Sequence, residues 1–171
     1  MLVGDDGLGA VVADQLVRHF DVPDGVHIAD GGTLGLTLLP LLQDCHAAIF
    51  IDAIRSGDAP PGTLIRIEGD EVLPAVRQHL SVHQIGVADL LDAARLTGKY
   101  PSDLVLIGLV PGNLDVGSGL SAGVKANVPA LVETVLNEIA RFGFLLHERR
   151  PTSRSAGHPC IPDPVLPSLR S

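Results

Sequence analysis

From Leu104 to Val110 the chain reads Leu-Val-Leu-Ile-Gly-Leu-Val, without a polar side chain. A strand sends alternate side chains to opposite faces, so a run that is apolar on both faces has to be covered on both. Residues 104–110 therefore predict an interior strand of a sheet packed between helices. A second mainly apolar run of strand length, residues 46–51, ends at Asp52. With four Phe, one Tyr and no Trp in 171 residues, yet 46% hydrophobic residues, the core has to be built from Leu, Val, Ile and Ala. One domain of this length can bury such a core.

Helical periodicity lies between these runs. Leu8, Val12, Leu16 and Phe20 recur on one face and predict a helix over 9–20. The turn at Pro23, Asp24 and Gly25 introduces a short strand over 26–29 that stops at Asp30, where Gly31 and Gly32 break it. Thr33 is placed to cap a helix over 34–42. The Pro60-Pro61-Gly62 turn leads into an alternating edge or hairpin strand over 63–67. Residues 69–80 read as a helix broken by Pro74. A polar loop, 81–84, precedes a helix over 87–96, and a glycine-rich loop spans 111–119. Ser121 is placed to cap a last helix reaching 142, with Val124, Val128, Leu131, Val135 and Ile139 on one face. This alternation predicts an α/β three-layer sandwich, a mostly parallel twisted sheet with helices on both faces. The domain is expected over 1–146. Residues 147–171, rich in Pro, Ser and Arg, are expected to form a disordered tail.

Twelve Lys and Arg stand against 20 Asp and Glu, a formal net charge of −8. Such a surface repels phosphate backbones, which argues against nucleic acid as a partner. No apolar run approaches the ~18–20 residues that cross a bilayer, and the N-terminus lacks the pattern of a signal peptide. A cytoplasmic monomer without a membrane partner is expected. Cys45 and Cys160 have neither metal-binding spacing nor a disulfide framework. No serine or cysteine nucleophile is apparent, since Ser81 near His83 lacks a nucleophile-elbow context.

In an open parallel sheet, ligands bind beyond the carboxyl ends of the strands. Asp30 and Asp52 follow strands, Asp5 and Asp6 precede the first helix, and His83 lies in a loop leading into another. Asp30 reads equally as a carboxylate satisfying turn amides beside Gly31, and Asp5 as a helix cap. Asp52 closes an apolar strand, where a charge needs a cation or several donors. His83, taken alone, reads as a solvated loop histidine or a structural donor. Together, two carboxylates and an imidazole suit a borderline divalent cation such as nickel or zinc, with positions left open for water or another protein's groups.

Four blocks carry a resemblance. Gly4-Asp5-Asp6-Gly7-Leu8-Gly9, Asp30-Gly31-Gly32-Thr33-Leu34-Gly35, Ile51-Asp52-Ala53 and Ser81-Val82-His83-Gln84-Ile85-Gly86 stand in the order and at the spacing found in the hydrogenase maturation proteases. Residues 2–142 are similar to that family. The resemblance implies an endopeptidase that removes a C-terminal extension from the large-subunit precursor of a nickel-iron hydrogenase after nickel insertion. It implies that Asp6, Asp52 and His83 are the metal-contacting and catalytic residues, with nickel supplied by the precursor. Asp5, Asp30, Gly31 and Gly32 are implied supporting residues, the glycines allowing a tight turn and close approach to the substrate peptide. Many relatives carry Glu where this chain has Asp6. Aspartic-type and metal-dependent hydrolysis both remain open.

Two other readings stand beside it. A phosphoacceptor receiver domain also sets an acidic pair after its first strand and an aspartate after its third. It needs a lysine after its last strand, and residues 104–113 contain none. A non-catalytic module that binds metal or precursor would share the acidic edge. Relatives also begin with an apolar strand before the first block, whereas here Met1 stands four residues before Asp5, so that strand is expected to be absent and Met1 not to be the natural start. Intact mass of the native protein tests this, and a mass beginning at Met1 defeats it.

Overall fold

The computed structural model describes residues 4–31, 35–79, 85–113 and 119–149. In chain order the elements are a 3-10 turn (Gly4–Gly7), α1 (Leu8–His19), β1 (Phe20–Asp21), a 3-10 turn (Gly35–Leu38), α2 (Leu39–Gln43), β2 (Ala47–Ala53) and β3 (Leu64–Glu68). A further 3-10 turn (Gly69–Glu71) leads to α3 (Val72–His79), followed by α4 (Ile85–Leu96), β4 (Asp103–Leu109), α5 (Ala122–Arg141) and β5 (His147–Glu148). The main sheet runs β2-β4-β3, with β2 parallel and β3 antiparallel to β4.

The apolar run behaves as its composition demands. Residues 104–110 are all buried, and β4 lies between two strands. Val105, Ile107 and Leu109 pack with Leu8, Val12 and Leu16 of α1 and with Val124, Val128 and Leu131 of α5. Leu104 and Leu106 face the other way, into Val72 and Val76 of α3 and Leu90 and Leu91 of α4. Helices thus cover both faces, and strand alternation divides the side chains of one run between two cores. Each fully buried aliphatic side chain adds about 1.5–3 kcal/mol, which is why this strand anchors both layers.

β3 alternates as expected, with Ile65 and Ile67 half-buried and Leu64, Arg66 and Glu68 exposed. Arg66 Nε donates to Glu138 Oε1 of α5 at 2.6 Å, and Arg141 Nε lies 3.0 Å from Glu138 Oε2. Glu68 joins Arg66 and Arg141 to complete the network. Glu138 is 7% exposed, so its charge depends on these two guanidinium groups. They pin an edge strand to the longest helix.

Four expectations change in detail. Residues 26–29 form no ladder among the described residues, although Val26 and Ile28 pack on the α1–α5 core. Alternation reports which side is buried, whereas a strand also needs a bonding neighbour. Pro74 does not break α3. It is the helix's third residue, where its missing N–H has no intrahelical acceptor to lose. β2 continues past residue 51, so Asp52 lies within the ladder opposite Gly108 rather than after it.

The fourth change is at the tail, which does not begin at 147. His147 and Glu148 pair antiparallel with Asp21 and Phe20, the Arg149 N–H donates to His19 O at 2.7 Å, and Arg149 Nε bonds Asp21 Oδ1 at 3.0 Å. The polar sequence hid backbone partners supplied from far along the chain. Residues 150–171 lie outside the described part. No described helix is long and apolar enough to cross a membrane.

Gly108 marks the tightest part of the sheet. A Cβ there would overlap the Asp52 carbonyl oxygen and press within 2.9 Å of the Ile54 side chain. Gly108→Ala is expected to lower stability by about 3 kcal/mol. Denaturant unfolding measures it, and an unchanged midpoint would contradict this packing.

Candidate active site

Asp52 occupies the penultimate position of β2. Ala48 and Phe50 pack toward the α2–α4 layer and Ile49 and Ile51 toward the α1–α5 layer. Alternation assigns Asp52 to the α2–α4 face. It is half-buried, and its Oδ1 accepts the Ala53 N–H at 2.7 Å.

Asp6 comes from the opposite layer. It lies half-buried in the Gly4–Gly7 turn that feeds α1, and this turn rests against β2. The approach is set by Gly9, where a Cβ would stand 2.6 Å from the Ile51 carbonyl oxygen. No side chain fits there. Glycine costs about 1 kcal/mol in a helix, but it lets the first turn of α1 touch the strand backbone one residue before Asp52. The segments carrying Asp6 and Asp52 are thereby brought to the same end of β2.

A second glycine contact brings two more blocks together. Gly35 has φ +44°, and a Cβ on Gly86 would stand 2.9 Å from Gly35 Cα. The turn after the Asp30 block thus sits on the first turn of α4, directly after the His83 loop. His83 itself, with Gly32, lies outside the described residues. Asp30 is exposed. Gly31 is not in the left-handed region, and a Cβ there would meet only Leu38 Cδ1 at an ordinary 3.7 Å. Between these two blocks the close contact among the described residues is that of Gly35 with Gly86.

Asp5 has a different task. It is fully buried. Oδ2 accepts the N–H groups of Gly112 and Asn113 at 2.7 and 2.8 Å, Oδ1 accepts that of Ser121 at 2.7 Å, and its own N–H donates to Asn113 O at 2.9 Å. Asp5 therefore does not cap the helix that follows it. It ties down the loop beyond β4 and places a negative charge at the start of α5, whose N-cap Ser121 makes no side-chain capping bond. Burial pushes its carboxyl up, but the donors from Asn113, Ser121 and Gly112 outweigh burial and hold it below the ordinary value of 3.8. These distant partners could not be read from sequence. The glycines in the first turns of two helices were the available signal.

Among the described residues no group of three potential metal ligands is found, and the expected set includes His83 outside them. What the described part brings together is a strand-end carboxylate and the turn bearing a second carboxylate from the opposite layer, with the start of α4 held separately on the Gly35 turn. Carboxylates at such an edge can bind a cation or take a proton from water. Cys45 plays no visible part. Its Sγ donates to Leu41 O at 3.1 Å, and burial, with Asp44 nearby, pushes its thiol pKa up.

Comparison with known proteins follows this architecture. The family model for hydrogenase maturation protease matches residues 10–138. The chain is 35% identical over 143 residues to the hydrogenase 2 maturation protease of Escherichia coli K12, covering 84% of this chain and 87% of that protein. It is 33% identical over 168 residues to the hydrogenase expression/formation protein HupD of Thiocapsa roseopersicina, covering 97% and 75%. The solved E. coli hydrogenase maturating endopeptidase HybD superposes with a TM-score of 0.81 at 34% identity, covering 86% of this chain and 91% of the other. The NiFe hydrogenase maturation protease HybD of Thermococcus kodakarensis gives 0.67 at 27% identity, covering 80% and 91%.

The Asp5 clamp predicts an acid-sensitive step. Because its folded carboxyl is depressed, its contribution is present above the unfolded pKa of ~4 and is lost as pH falls through the folded value. Asp5→Ala is expected to cost at least about 3 kcal/mol at neutral pH by orphaning buried N–H donors, and to flatten the stability change below about pH 4. Urea titrations across pH 2–7 check both, and parallel acid limbs for the two proteins would refute the assignment.

Proposed function

As the chain belongs to the hydrogenase maturation protease family, we propose that it removes the C-terminal extension of a nickel-iron hydrogenase large-subunit precursor after nickel insertion. The observation that carries this reading is the approach of Gly9 to the Ile51 carbonyl, which sets the Asp6 turn against the strand end bearing Asp52. The packing of Gly35 on Gly86 supports it by drawing the start of α4, just after His83, toward the turn after the Asp30 block. Family membership supersedes the receiver-domain reading.

In this proposal nickel arrives as part of the substrate, held by thiolates of the precursor. Asp6, Asp52 and His83 complete its coordination, so a loaded precursor gains contacts that an empty one lacks. A ligand biases binding only through such differential contacts. Each tenfold preference for loaded precursor needs about 1.4 kcal/mol of them. Docking sets the scissile peptide at the rim, with Asp30 and the Gly31-Gly32 segment beside it. Water attacks the carbonyl carbon as its proton passes to a carboxylate, the C–N bond then breaks, and the departing amine takes a proton. Metal polarisation of the carbonyl and general-base assistance both fit this donor set, so the aspartic-type and metal-dependent descriptions share one residue set.

Incubation with nickel-loaded and nickel-free precursor, read by intact mass, is expected to show cleavage of the loaded form alone. Unchanged mass in both would favour a non-catalytic binding module. Asp52→Asn and His83→Ala are each expected to reduce cleavage at least about 100-fold, the scale of a lost general acid–base group, with unfolding midpoints close to the parent's. Normal processing by either variant would mean that the site lies elsewhere.

A further inference from the structure

Beside the proposed rim the chain forms a shallow open depression whose walls include Arg55, Ser56, Val110, Pro111 and Asn113. Among the described residues Arg55 is the one ionisable side chain lining it. Its side chain is exposed and makes no ion pair among the described residues. Among the other described arginines, Arg95 stands over the Tyr100 ring, its guanidinium carbon 5.6 Å from the centroid. Arg18, Arg66, Arg77, Arg141 and Arg149 are each matched to a carboxylate. In a chain of net charge −8, an unmatched guanidinium in a concave place creates a local exception to a field that otherwise repels acidic peptides.

The surroundings of Arg55 are held firmly. Ile54 N–H donates to Leu109 O at 3.0 Å, Gly62 N–H to Val110 O at 2.8 Å, and Val110 N–H to Thr63 O at 2.9 Å. Asp5 holds Gly112 and Asn113 from behind. A Cβ on Gly112 would stand 2.9 Å from Ser121 Oγ and 3.1 Å from Pro61 Cβ, so that wall is packed to contact. The depression is also tied to the segments that carry the candidate site. Three residues separate Arg55 from Asp52, at most about 10 Å of extended chain, and Asp5 ties the opposite wall to the turn that carries Asp6.

We propose that this depression receives a carboxylate of the precursor's C-terminal extension, and that Arg55 is the specificity residue that pairs with it. The inference rests on the peptidase reading above. An extended peptide advances about 3.3 Å per residue, so a bond cleaved near Asp52 sets the recognised carboxylate within about three residues of it. That group is an Asp or Glu side chain of the extension, or the chain-terminal carboxylate where the extension ends within reach. Guanidinium and carboxylate form a planar, bidentate pair that a lysine matches less well.

The test uses the full chain and nickel-loaded precursor in three forms: with its native extension, with every Asp and Glu of the extension changed to Asn or Gln, and with the terminal carboxylate converted to an amide by ligation. Arg55→Ala is expected to raise KM for the native form about five- to tenfold, as a rim charge pair does, with kcat falling less than twofold and Arg55→Lys recovering part of the loss. Whichever modified extension raises the wild-type KM by the same factor, while adding nothing to Arg55→Ala, identifies the carboxylate's source. An Arg55→Ala chain with unchanged KM, or one that remains as sensitive as wild type to both modifications, overturns the proposal. A wild-type chain that leaves every loaded form intact overturns the peptidase reading instead, so the two failures are distinguishable.

Discussion

The contact between α1 and β2 at Gly9 and Ile51 governs the geometry of the rim. A helix normally packs on a sheet through side chains, which holds the two backbones about 10 Å apart. Here the first turn of α1 comes to backbone contact because no Cβ intervenes. The turn bearing Asp6 consequently lies against the strand bearing Asp52, although their layers lie on opposite sides of the sheet. Gly35 and Gly86 make an analogous approach on the other face. Two close backbone contacts, rather than one local motif, join these segments in pairs.

β4 supplies the frame on which these contacts depend. Its fully apolar sequence has two cores to fill, and it accepts β2 on one side and β3 on the other. Gly108 allows β2 to end tightly against it, next to Asp52. Beyond β4 the chain enters the loop that leads to α5. Asp5 fastens both ends of the described part of that loop, at Gly112, Asn113 and Ser121. One buried carboxylate therefore links the turn before α1, the end of β4 and the start of α5. Its neighbour Asp6 is half-buried. Adjacent aspartates thus differ in setting: Asp5 is fully buried among N–H donors, whereas Asp6 is half-buried in the turn against β2.

Much of the fold was legible in the residues themselves. The apolar faces of α1 and α5, the interior character of residues 104–110 and the alternating edge strand at 64–68 all reflect patterns of period 3.6 or 2. Errors arose where a local pattern had to stand in for a distant partner. Val26 and Ile28 alternate like a strand but form no ladder in the described structure, and His147–Glu148 look like tail but find β1. Pro74 signals a break only if its position within the helix is unknown.

The sequence by itself determined the chemistry available here: which carboxylates and imidazole exist, in what order, and which apolar runs must be buried. Only the tertiary structure decided which of them meet. It buried Asp5 among N–H donors while leaving Asp6 half-buried, set Gly35 against Gly86, and left Arg55 without a carboxylate among the described residues. The physical reason is that side-chain identity and short-range periodicity are properties of neighbours along the chain. Burial, hydrogen-bond partners and backbone approach are set by residues as far apart as Asp5 and Ser121, whose meeting no local pattern encodes.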